Sequence, residues 1–234
     1  MNRDKARKKL EQGLQIIQQI FECRQALTLP KISVVENSSV TIYDHNLREI
    51  LLGADMHKTG KFSESDRVFC QGQALSCFAH QQVNPEIYRK VYVEGTQLYE
   101  EAKKDLLNIK WDLVKHDYVC LDIILAGVVP TCAGFIFTER SAGKEAAMNI
   151  FQKFVNRLAP CRLMQALFDG GKGIPNAKLA ASPEMQQYRG ISAALNWYHK
   201  RPDLLPKLAR VNTAEGYNLL VKESGIPSEL ISLQ

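Results

Sequence analysis

Cys70, Cys77 and His80 form a Cys-x6-Cys-x2-His run. Thiolates and imidazoles are zinc ligands, but this spacing fits no standard zinc pattern and no second Cys or His pair lies nearby in sequence. Cys77 and His80 therefore read as packing residues of one helix, and no metal or other cofactor is expected. His116 and Cys120 lie one helical turn apart, a spacing that could set a base beside a nucleophile. With six cysteines and five histidines in the chain, such a coincidence is cheap. No Gly-x-Ser-x-Gly elbow and no Walker A loop occurs. Gly170-Gly-Lys172-Gly173 could cradle an oxyanion with backbone N–H groups and one ammonium. It lacks the Walker spacing and follows no clear strand. It reads as a plain loop, or as one wall of a polyanion groove. No catalysis is expected.

Rings interleaved with cations point to a different chemistry. Tyr188-Arg189 and Trp197-Tyr198-His199-Lys200-Arg201 combine flat faces with positive charge, as binders of single-stranded RNA do. The competing reading makes Trp197 and Tyr198 core residues of their helix, and for Trp197 it is the preferred one.

The charge distribution bears on the same question. Of 234 residues, 45% are hydrophobic, enough for a real core, and the net charge is +5. Residues 140–210 carry twelve Lys/Arg against four Asp/Glu, a balance of +8, whereas residues 86–122 carry six against eight, a balance of −2. Positive charge is concentrated, as a polyanion groove requires, although a solvated lysine-rich face is the plain alternative. The candidate RNA contacts are Lys144, Lys153, Arg157, Arg162, Lys172, Lys178, Tyr188, Arg189, Lys200 and Arg201.

The elements that must position these residues read as mainly helical. Leu10, Leu14, Ile17 and Phe21 line one face of a helix over 3–27, closed by Pro30. Such a stripe must be covered, by the domain's own core or by a neighbouring subunit. Ile32–Val34 and Val40–Asp44 alternate about a Glu36–Ser39 turn and predict one hairpin within 31–45. Helices are predicted over about 65–82, 85–108 and 144–158, the last ending before Pro160. Gly127–Pro130 should break the apolar stretch that opens at Leu121. A further helix starts at Ser182-Pro183, and Thr213–Ser224 forms the last, capped by Gly225. Met1–Lys9 is basic, but no small-residue cleavage site follows the apolar stretch after it, and no apolar run is long enough to span a bilayer. The cysteines read as reduced core thiols of a cytoplasmic protein.

Met185-Gln-Gln-Tyr188-Arg-Gly190-Ile191-Ser-Ala193-Ala194, with Trp197 after it, resembles a stretch of orthobunyavirus nucleoproteins. Tyr217–Ile226 is similar to their last helix and its tail, and Leu121–Pro130 resembles an apolar segment of tospovirus nucleoproteins. The resemblance is patchy and covers the C-terminal half. The N-terminal third departs from it, with a long amphipathic helix in place of a short extended arm. The resemblance implies two helical lobes with a basic cleft between them, single-stranded genomic RNA in the cleft, and terminal arms clasping neighbouring subunits in a homo-oligomer. It also implies the host cytoplasm and the virion as locations, and a viral polymerase as a further partner. On this reading residues 1–28 are an N-terminal helical arm, 29–118 an N-terminal lobe, 119–212 a basic C-terminal lobe and 213–234 a C-terminal arm. Leu10, Leu14, Ile17 and Phe21 become the oligomerisation face. Two other readings stay open: a bacterial adaptor whose basic face meets an acidic protein, and a small Cys-dependent enzyme.

Overall fold

The computed structural model describes residues 3–56, 60, 62–94, 127–169 and 183–226. Among these it is mainly helical, with one small sheet. In chain order the elements are α1 (Arg3–Ile20), β1 (Lys31–Val35), β2 (Ile42–Asp44), β3 (Glu49–Gly53), α2 (Glu64–Val83), α3 (Pro85–Tyr88), α4 (Val129–Ala142), α5 (Lys144–Asp169), α6 (Pro183–Lys200), α7 (Leu205–Leu208) and α8 (Ala214–Ser224).

Local chemistry explains the ends of α2 and α8. Ser63 Oγ accepts from the Asp66 N–H while Asp66 Oδ2 accepts from the Ser63 N–H, so two orphan donors are satisfied reciprocally. Asn84 ends α2 and caps α3 through its Oδ1, and its Nδ2 donates to the carbonyls of Ala209 and Val211. Thr213 Oγ1 accepts from the Gly216 N–H at 3.0 Å, and Gly225 closes α8 in the left-handed region at φ 68°.

The centre of the molecule is the pair α2 and α4. Every side chain from Val129 to Thr138 is buried, so α4 has no solvent face along that length. α1 packs on α2 and α4, α5 packs on α4 and α2, and α6 packs on α4 and α5. Described residues of all four segments assigned from sequence, among them Leu14, Ile50, Trp197 and Tyr217, share one continuous core. The boundary placed at 118/119 lies outside the described residues. Leu10, Leu14, Ile17 and Phe21 are 1%, 3%, 0% and 0% exposed within this core. The stripe thus finds its cover in its own chain, the first of the two alternatives, and needs no neighbouring subunit to leave water.

The sheet differs from the expected hairpin over 31–45. β1 and β2 are not neighbours; the order is β1-β3-β2, with β1 parallel and β2 antiparallel to β3. Glu49–Gly53, which has no alternating signature, takes the central place, with Ile50 and Leu52 buried at 0% and 3% exposure. The hairpin joins β2 to β3 instead. Its turn is an Asx turn in which Asp44 Oδ1 accepts from the N–H groups of Asn46 and Leu47, each at 2.9 Å.

Two proline readings are also corrected. Pro130 opens α4 in its first turn rather than breaking structure, because its missing N–H is an orphan there anyway. α5 continues through Pro160 to Asp169, since a proline removes one helical bond and favours a kink without having to end the helix. Of the helix predicted over 85–108, Pro85–Tyr88 and a π-helical turn to Glu94 are seen, and the rest lies outside the described residues.

Candidate functional site

Of the predicted RNA contacts, the described side chains are those of Lys144, Lys153, Lys200 and Arg201. Lys144 is exposed at the start of α5, and Lys200 is exposed at the end of α6. Lys153 is committed elsewhere: its Nζ donates to both oxygens of Asp66, each at 2.7 Å, tying α5 to the capped end of α2. Partial burial pushes the Asp66 carboxyl up, but the bonds from Lys153 and Ser63 outweigh this and hold it below its ordinary value. Arg201 is committed too. Its Nε and Nη2 hold Asp203 bidentately at 3.1 and 2.9 Å, and its Nη1 donates to the Ser224 carbonyl at 2.9 Å, bracing α8. Arg157 and Arg162 lie on the backbone of α5, and Tyr188 and Arg189 on that of α6. Lys172, Lys178 and the Gly170–Gly173 loop lie outside the described residues, as do His116 and Cys120.

The aromatic members of the second cluster are structural. Trp197 is 0% exposed and its Nε1 donates to Tyr217 Oη at 3.4 Å. Tyr198 stacks on Phe135 at 5.0 Å between centroids, and its hydroxyl donates to Glu139 Oε2 at 2.9 Å. Burial, and then that carboxylate, push the Tyr198 hydroxyl well up.

The Cys/His run is also packing. No group of three His, Cys, Asp or Glu able to hold a metal occurs among the described residues. Burial pushes the Cys70 thiol up to about 11 and Cys77 to about 12, so both are protonated and poor nucleophiles at neutral pH. His80 is fully buried between the rings of Phe21 and Tyr88, with centroids at 6.3 and 5.5 Å. Neither ring nitrogen makes a hydrogen bond of good geometry, and burial lowers it to about 3 against a smaller pull from the Ala209 carbonyl. It is a neutral core histidine.

A basic cleft emerges where the sequence showed none. It holds about 760 Å³ and lies between the Cys23–Pro30 loop, the β2–β3 turn, the end of α2 and the loop after α7. Arg24, Arg48 and Arg210 line it and no Asp or Glu does. Arg210 is held by Phe21 O at 3.0 Å and Glu22 O at 3.1 Å, and also donates to Pro206 O, so it clasps the end of α1. Arg24 and Arg48 have no hydrogen-bond or ion-pair partner among the described residues and are exposed. Tyr43 and Phe78 also line it, edge to face at 5.5 Å, with Tyr43 Oη donating to Gln81 Oε1. Burial raises the Tyr43 hydroxyl, against a smaller opposing effect of Arg48, and likewise raises the Cys23 thiol against Arg210. The three arginines come from distant parts of the chain, so no window of sequence shows them as a cluster.

No helix among the described residues is long and apolar enough to cross a membrane. Compared with protein-family models, curated proteins and solved structures, the chain matches none.

Proposed function

We propose that the protein binds single-stranded RNA without acting on it chemically, as a nucleoprotein does. The observation that carries this reading is the charge asymmetry of the chain, twelve bases against four acids over residues 140–210. Two of those bases, Lys153 and Arg201, are spent on Asp66 and Asp203. Lys144 and Lys200 stay exposed without an ion-pair or hydrogen-bond partner among the described residues, and Arg210 reaches the basic cleft. Phosphate contacts supply most of the affinity on this reading, and base sequence matters little. The enzyme reading rests on Cys120 or the Gly170–Gly173 loop, and both lie outside the described residues.

Titrating a labelled single-stranded RNA against the full chain from low to high salt tests this. Each phosphate neutralised contributes a log–log slope of about −0.7, so six contacts predict roughly −4. Binding without a salt slope overturns the reading, and a basic face that binds only an acidic protein becomes the better account. A high ratio of absorbance at 260 to 280 nm in the purified protein is a cheap first indication.

A further inference from the structure

We propose that the cleft under the end of α1 is a binding site for a nucleotide, a phosphate joined to a flat ring, with Arg24 and Arg48 as the phosphate ligands. The site goes beyond the RNA reading because it needs no strand: the same chemistry is offered by a free nucleoside phosphate or by one unit of an RNA.

Four observations converge. The cleft holds about 760 Å³, inside the roughly 300–1,000 Å³ typical of small-molecule sites. Its charge is of one sign, with arginines from three separate segments and no carboxylate to repel a phosphate. Guanidinium forks match phosphate oxygens in pairs, and Arg24 and Arg48 have no competing partner among the described residues. Beside this charge, Tyr43 and Phe78 add aromatic surface to the lining and Gln25 and Gln82 add amides, the combination that a base with polar edges requires.

Of the three described non-glycine residues with positive φ, Glu22, Asn37 and Arg48, two fall in the same place. Glu22 and Arg48 stand in the left-handed region at φ 49° and 52°, where side chains are disfavoured. One precedes the Cys23–Pro30 wall and the other carries a lining arginine, and such strain collects at binding sites. The fold holds both in place: Arg210 grips the carbonyls of Phe21 and Glu22, and Asp44 ties the β2–β3 turn. Arg210 thus sets the wall as well as adding charge, which makes it a positioning residue here.

The test uses the full chain with two probes, adenosine 5′-monophosphate and a labelled ten-nucleotide single-stranded RNA, each titrated against wild type and the double variant Arg24→Glu with Arg48→Glu. Both side chains are exposed, and circular dichroism checks the fold. We expect at least about tenfold weaker binding in the variant for whichever probe the cleft takes. Loss of monophosphate binding identifies a free nucleotide, and loss of RNA binding alone identifies a nucleotide within a strand. Either result supports the site. A folded variant that binds both probes as wild type does overturns it and leaves the RNA reading standing. RNA that never binds, with monophosphate binding that depends on the arginine pair, overturns the RNA reading and keeps the cleft. Wild type that binds neither probe overturns both. Amide resonances give a measurement independent of any variant: monophosphate, or the RNA if that alone binds, should shift Gln25, Arg48 and Gln82, and shifts confined elsewhere overturn the assignment.

Discussion

Gly72 of α2 and Phe137 of α4 share one socket: a Cβ placed on Gly72 would come within 2.5 Å of the Phe137 ring. The relationship is reciprocal, because a Cβ on Gly134 of α4 would come within 2.9 Å of the Phe69 ring on α2. Each helix therefore offers a glycine hole to the other's phenylalanine, and the two axes approach closely at the centre of the core.

Gly72→Ala should consequently destabilise by about 1–3 kcal/mol, the usual cost of overpacking. For a chain of this size that is a melting-temperature loss of about 2–4 °C per kcal/mol. Adding Phe137→Leu should recover part of it, since the smaller side chain vacates the space. A double variant whose loss equals or exceeds the sum of the single ones would show that the two residues do not compete for one socket.

The N-terminal helix is expected to be part of the fold. Ile17 is fully buried, and Ile17→Ala should cost roughly 2–5 kcal/mol. Removing residues 1–27 should abolish a cooperative thermal transition, because it strips the cover from α2 and α4. If the shortened chain instead melts as before and an oligomer of the full chain becomes a monomer, the helix serves a neighbouring subunit, as the viral resemblance implies.

His80 makes stability depend on pH. Its folded value is about 3 against an ordinary 6.5, so the unfolded chain takes up a proton that the folded chain refuses. The contribution is complete above pH 6.5 and is lost as pH falls toward 3, at up to about 1.4 kcal/mol per pH unit. His45, lowered by burial against Asp44, acts in the same direction. Asp66 and Asp203 lie below their ordinary 3.8, so their contributions are lost only in more acid solution. Urea midpoints between pH 7 and pH 4.5 should fall in wild type and fall less in His80→Leu. Parallel curves for the two proteins would refute the assignment.

Pairing separates structural cations from RNA-binding ones. Lys153→Ala and Arg201→Ala should leave the salt slope of RNA binding unchanged, because both heads are already neutralised by carboxylates. Lys144→Ala with Lys200→Ala should make the slope shallower by about 0.7 for each phosphate that is no longer neutralised. The opposite ranking would mean that RNA displaces Asp66 and Asp203 from their partners.

What could be read from the sequence was what a few adjacent residues decide. Thr213 with Gly225 and the stripe from Leu10 to Phe21 specify helices through interactions made within a turn or two. The mainly helical class and the buried Trp197 follow from the same short-range pattern. The choice of partner is a different kind of fact. Residues 31–35 alternate like a strand whether they pair with 42–44 or 49–53, and only the burial of Ile50 and Leu52 in the core places β3 between them. A lysine looks free until an aspartate from another helix reaches it, as Asp66 does Lys153. The Arg24, Arg48 and Arg210 cleft exists only because the end of α1, one turn of the sheet and the loop after α7 are folded together. Local hydrogen bonds and side-chain periodicity act over a few residues, whereas which surfaces meet depends on the packing of the entire chain.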